Sequence, residues 1–156
     1  MKLEYIKPFI GAVENLFGTM LGSKVSRGDI GVSKSNQAPY ELTALIGLSG
    51  EARGTVSISF PASTALNMVA KMLSIDATEV NSTVIDGVGE IVNIVAGSAK
   101  SKFIKRPDQK PIDLSLPNVI KGEDYKIEYP SETIWIEVPF TSELGPFNLR
   151  VTFEQE

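Results

Sequence analysis

The chain of 156 residues contains neither histidine nor cysteine. The first absence removes Ser-His and Cys-His nucleophilic sites, and the two together remove zinc sites of the usual ligand set. Lack of cysteine also leaves no disulfide framework. The formal net charge of −4 gives no basic footprint for nucleic acid. Apolar runs are short and interrupted, so no membrane-spanning helix is expected. The start, Met1-Lys-Leu-Glu-Tyr-Ile-Lys-Pro8, mixes charges into its apolar positions and lacks a signal-peptide core, an expectation of a cytoplasmic protein. Neither phosphate-binding glycine motif occurs between a strand and a helix, so nucleotide binding has no support. Any chemistry must run on carboxylates, amides, hydroxyls, Lys or Arg.

With 42% hydrophobic side chains and no low-complexity linker, residues 1–156 suit a single domain with its own core. Tyr5, Ile6, Phe9, Ile10, Val13, Leu16, Phe17, Met20 and Leu21 recur at helical spacing, with Pro8 near the first turn and Gly22 as a stop. Residues 41–49 and 54–60 read as two strands joined by Gly50-Glu-Ala-Arg-Gly54, a hairpin. Ala65, Leu66, Met68, Val69, Met72 and Leu73 predict a second helix over 61–73, and a third follows over 84–97. Residues 112–120, 125–129, 133–140 and 147–154 then change to strand character, with Trp135 and Phe153 in alternating patterns that need a covering layer. This order predicts an α+β fold, a largely antiparallel sheet with long helices packed on one face.

The third helix carries the most informative pattern. In Val84-Ile-Asp-Gly-Val-Gly-Glu-Ile-Val-Asn-Ile-Val-Ala-Gly97 the polar side chains are Asp86, Glu90 and Asn93. At roughly 100° per residue, Asn93 and Asp86 fall about 60° and 40° to one side of Glu90, while the aliphatic residues fall on the far side. Each feature has a plainer structural reading. Thr83 and Asp86 form a T-x-x-D capping box that accounts for Asp86. Glu90 and Asn93 fit a solvated helix face. Gly97 lies about 20° from Glu90 and Gly87 about 60° to its other side. The two glycines either clear ground for an approaching partner or let two helices pack tightly, and Gly89, about 100° off the stripe, suits the packing reading.

Asp86-x-x-x-Glu90-x-x-Asn93, followed about two dozen residues later by Pro117, resembles the signature of the CheC, CheX and FliY family of chemotaxis phosphatases, with Pro111 as the alternative proline. The aromatic N-terminal helix with Pro8-Phe9, the segment from Leu45 to Phe60 and Gly89-Glu-Ile-Val-Asn-Ile-Val-Ala-Gly97 resemble the CheX branch in order and kind, so the likeness covers most of the chain. A single E-x-x-N motif fits that branch, since CheC members carry two; the N-terminal helix here offers Glu14 but Phe17 where the Asn would stand.

The resemblance implies hydrolysis of the aspartyl phosphate on a CheY-type response regulator. Asn93 would orient the attacking water and Glu90 would dock the regulator by pairing with a lysine. Asp86 and Pro117 would support the motif, with Gly87 and Gly97 clearing the partner face. No cofactor is implied in this chain, because Mg²⁺ would sit on the regulator's own carboxylates. The likeness further implies a homodimer formed by exchange of sheet elements. From a different class stands a non-catalytic module that binds a response regulator or motility component through the same face.

Overall fold

The structure is a computed structural model describing residues 3–103, 111–128 and 133–154. The predicted first helix has three windings: a 3-10 turn, Leu3–Ile6, then α1, Lys7–Leu16, then a π-helical turn, Phe17–Leu21. The Thr19 hydroxyl donates to the Asn15 carbonyl at 2.7 Å. It thereby competes for the helical ladder where the winding loosens. Gly22 ends the segment in the left-handed region at φ 56°.

Two short strands that sequence periodicity did not indicate follow, β1 (Val25–Arg27) and β2 (Gly31–Ser33). The expected hairpin is β3 (Leu42–Gly50) and β4 (Gly54–Phe60), paired from Leu42 with Phe60 to Leu48 with Gly54. Next come α2 (Ala62–Leu73), α3 (Ser82–Lys100), β5 (Ile112–Leu114), β6 (Asn118–Lys121), β7 (Trp135–Ser142) and β8 (Phe147–Phe153). The sheet runs β1-β7-β8-β4-β3-β5, with β2 also on β7 and β6 also on β3, and every pairing is antiparallel. The single strand expected over 112–120 is two, broken at Ser115–Pro117. Proline has no N–H for the ladder, so the break falls where the sequence places Pro117. The strand expected over 125–129 is reduced to a bridge between Lys126 and Gln37, and Tyr129 lies outside the described residues.

Alternation along the strands separates the faces. Ala44, Ile46, Val56, Ile58, Leu149, Val151, Ile136 and Val138 are buried on one side, the side on which α3 lies against β3 and β4 with α1 and α2 flanking it. The opposite side is polar. There the Tyr125 hydroxyl donates to Thr43, which shares a 3.1 Å hydrogen bond with Ser59. Arg150, 7% exposed, donates to Glu137 at 2.5 Å and to the carbonyls of Ser35 and Gln37 at 3.2 Å, and lies over Trp135. These contacts hold the segment after β2 beneath the sheet, the cover that Trp135 required. Phe153 is covered on the helical side by Tyr5, Phe9 and Phe103.

Both later helices are started by side chains from outside their first turn. The Glu41 carboxylate accepts the Ala62 N–H at 2.5 Å, at the positive end of α2. In α3 the cap is Asn81, whose side-chain oxygen accepts the Val84 N–H at 3.1 Å. The expected Thr83–Asp86 capping box is therefore corrected. Asn81 and Thr83 are both good cap residues, and the earlier one starts the helix, which puts Asp86 beyond the first turn.

Gly87 is buried, and a Cβ there would stand 2.8 Å from both methyl carbons of Val69 on α2. It serves close packing of α2 on α3, which corrects its assignment to partner-face clearance. Gly87→Ala should cost roughly 1–3 kcal/mol through overpacking, partly recovered in the Gly87→Ala/Val69→Ala double variant, as read by urea unfolding. Asn81→Ala should cost about 1 kcal/mol. Thr83→Ala should change stability by less than about 0.5 kcal/mol; the reverse order would restore Thr83 as the cap.

Candidate functional site

Val84, Val88, Ile91, Val92 and Val95 of α3 are buried, and these fix the rotation of the helix on the sheet. The residues of its remaining arc are Asn93, Asp86, Gly97 and Glu90, spread over about 60° in that order around the axis. Asp86 and Glu90 are exposed, while Asn93 and Gly97 are half-buried. No side chain of the described residues forms a hydrogen bond or ion pair with Asp86, Glu90 or Asn93. Mutual burial would have marked a core role for Glu90 and Asn93; instead both keep their hydrogen-bonding capacity, as a solvated face or a docking face does.

The glycines divide by what surrounds them. Among the described residues, nothing outside the helix's own backbone and Gly97's two neighbours lies within 4 Å of a Cβ position at Gly97, which leaves room one turn beyond Asn93. Gly89 is buried, and its Cβ position lies 3.7 Å from Pro117 and 3.6 Å from Val119, an ordinary contact that nothing longer than a methyl would leave in place. Pro117 therefore rests on α3 about 40° around the axis from Asn93, on the side away from Glu90. Pro111, the alternative proline, is exposed, and its carbonyl lies at Gly50, the end of β3.

The segment carrying Pro117 is tied to β3. Ser115 donates its N–H to the Gly47 carbonyl at 2.9 Å, and its hydroxyl accepts the Gly47 N–H at 2.8 Å while donating to the Leu116 carbonyl at 3.0 Å. The sequence reading passed over this bulge by running a strand through it; the proline inside an otherwise strand-like run was the available signal.

The arrangement limits the chemistry. Among the described residues no group of three metal-ligating side chains is gathered together. No helix among them is long and apolar enough to cross a membrane. What the face offers is a carboxamide, able to donate and accept hydrogen bonds at once, beside a carboxylate able to pair with a cation. Phe17, at the place where a second motif would need an Asn, is buried and stacked on Phe147 at 5.5 Å, so α1 carries no equivalent site.

Residues 42–141 match the family model described as "Chemotaxis phosphatase CheX". A curated relative, the CheY-P phosphatase CheX of Thermotoga maritima, is 26% identical over 129 residues, 82% of each chain. The crystal structure of a chemotaxis protein CheX from Desulfovibrio desulfuricans superposes with a TM-score of 0.85 at 28% identity, over 97% of this chain and all of that one. The CheX chain in a CheX-CheY-BeF3-Mg²⁺ complex from Borrelia burgdorferi shares the fold, with a TM-score of 0.80 at 22% identity over 99% of this chain and 100% of that one. With the family model spanning most of its length, the chain belongs to the CheX family of chemotaxis phosphatases.

Proposed function

We propose that this protein, acting as one phosphatase domain in the cytoplasm, hydrolyses the aspartyl phosphate of a CheY-type response regulator. The observation that carries the proposal is the pairing of Glu90 and Asn93 on the open arc of α3, both without partners among the described residues. The Thermotoga relative is named as a CheY-P phosphatase, and the Borrelia neighbour was solved with CheY, beryllofluoride and Mg²⁺.

Aspartyl-phosphate hydrolysis is an in-line displacement. Water attacks phosphorus, the bond from phosphorus to the carboxylate oxygen breaks, and inorganic phosphate and the free carboxylate leave. The transition state is loose, so the main task is to hold the water in line and the partner in place. Asn93 orients that water within the regulator's site, and Glu90 docks the regulator through its lysine. Mg²⁺ stays on the regulator's carboxylates. Asp86 adds negative charge to the docking face, Pro117 supports the helix beside Asn93, and Gly97 leaves room for the partner's backbone.

The protein is further assigned a homodimer formed through its sheet. The sequence likeness to the CheX branch supports this reading.

Substoichiometric protein should accelerate decay of phosphorylated CheY-type regulators of the source organism. Asn93→Ala should lower kcat by about 100-fold or more while retaining binding. Glu90→Ala should act mainly on binding. Turnover by Asn93→Ala equal to that of wild type would remove the water-positioning role, and binding without acceleration by wild type would establish the non-catalytic module instead. Gly97→Ala should stabilise the free protein by about 1 kcal/mol through helix propensity. The same methyl should raise KM; an unchanged KM would remove the clearance role.

A further inference from the structure

Leu116 is 85% exposed, against 40–62% for the other exposed large hydrophobic residues, Met20, Val32, Leu73 and Ile75. Single exposed leucines are common on protein surfaces, so exposure alone carries little. Its setting carries more. The preceding residue, Ser115, is locked to Gly47 by hydrogen bonds in both directions, at 2.8 and 2.9 Å, and also holds the Leu116 carbonyl at 3.0 Å. The following residue, Pro117, has a fixed φ and rests on Gly89. Leu116 is thus an apolar side chain presented on an immobilised backbone, in the segment that borders Asn93.

The position is directional. Around α3, Gly89 with Pro117 above it lies about 40° to one side of Asn93, and Glu90 lies about 60° to the other. Asn93 is therefore flanked by a carboxylate on one side and by the Ser115–Pro117 bulge on the other. A partner centred on Asn93 meets charge along one border and an apolar side chain along the opposite one. The hydrogen bonds of the bulge are already made in the free chain, so contact there costs less ordering than contact with an untethered loop.

Building on the phosphatase reading, we infer that Leu116 is a specificity-determining contact for the response regulator. It packs against an apolar surface of the receiver domain beside the phosphorylated aspartate, on the side opposite the lysine that meets Glu90. Leu116 touches neither the water nor the phosphoryl group. It selects among receivers by the apolarity of that border, while Glu90 responds to the cation shared by all of them.

The test compares wild type, Leu116→Ser and Leu116→Met. One measurement is Kd for beryllofluoride-loaded CheY-type regulators of the source organism, by calorimetry; the other is kcat and KM for the phosphorylated forms. Leu116→Ser should raise Kd and KM about tenfold with kcat within about twofold of wild type, and Leu116→Met should restore both constants. A Kd for Leu116→Ser within twofold of wild type overturns the inference, as does a fall in kcat at unchanged KM. The phosphatase reading is judged separately. If wild type binds the loaded regulator without hydrolysing it, that reading fails and Kd alone decides on Leu116; if wild type binds none of them, both fail.

Discussion

Everything at the site depends on the seating of α3 on the sheet. Val84, Val88, Ile91, Val92 and Val95 are buried along this helix, at roughly 1.5–3 kcal/mol each in gross transfer terms. Exposed carboxylates and amides interact with their surroundings by about 1 kcal/mol or less. Apolar burial therefore decides how the helix is rotated, and the polar stripe points wherever the opposite arc happens to face. A turn of about 100° about the axis would bring Glu90 toward Gly89 and Pro117. Orientation of the site is a by-product of the core, which places a surface amide with no side-chain hydrogen bond from the described residues holding it.

The three glycines of α3 show how one residue type serves three ends. Gly87 admits Val69 of α2, Gly89 provides the floor for Pro117, and Gly97 leaves open space. A helical wheel assigns each an angle, but it does not say which neighbour covers that angle. Gly87 and Gly97 looked alike from sequence because both border Glu90; only the position of α2 distinguishes them.

Other parts of the fold were legible to differing degrees, for physical reasons. The hairpin of β3 and β4, both later helices and strands β7 and β8 followed from periodicity, because each turns an apolar face to the core between sheet and helices and so repeats every two or every 3.6 residues. β1 and β2 have three residues each and are mostly exposed, so no face of theirs is marked by apolar spacing. The cap of α3 was displaced by two residues because Asn81 and Thr83 are both competent and sequence cannot rank them. Glu90 and Asn93 were visible as a stripe, yet their roles came from family likeness. Spacing shows what shares a face but not what the face does.

Asn93 and Glu90 differ in burial in a way that suits the separate tasks proposed for them. Half-burial restricts the rotamers of Asn93, so part of the ordering cost of aiming a carboxamide is met during folding, and preorganisation of this kind acts on the transition state. Glu90 is exposed to water, where a charge attracts its partner at a distance and is screened within about 8–10 Å at ordinary ionic strength. Such a charge favours encounter and register over a tight final grip. A chain without histidine loses nothing by this division, because a loose phosphoryl-transfer transition state calls for an aligned water more than for a base. On the proposed mechanism, two side chains of ordinary chemistry suffice once a buried aliphatic face has fixed where they point.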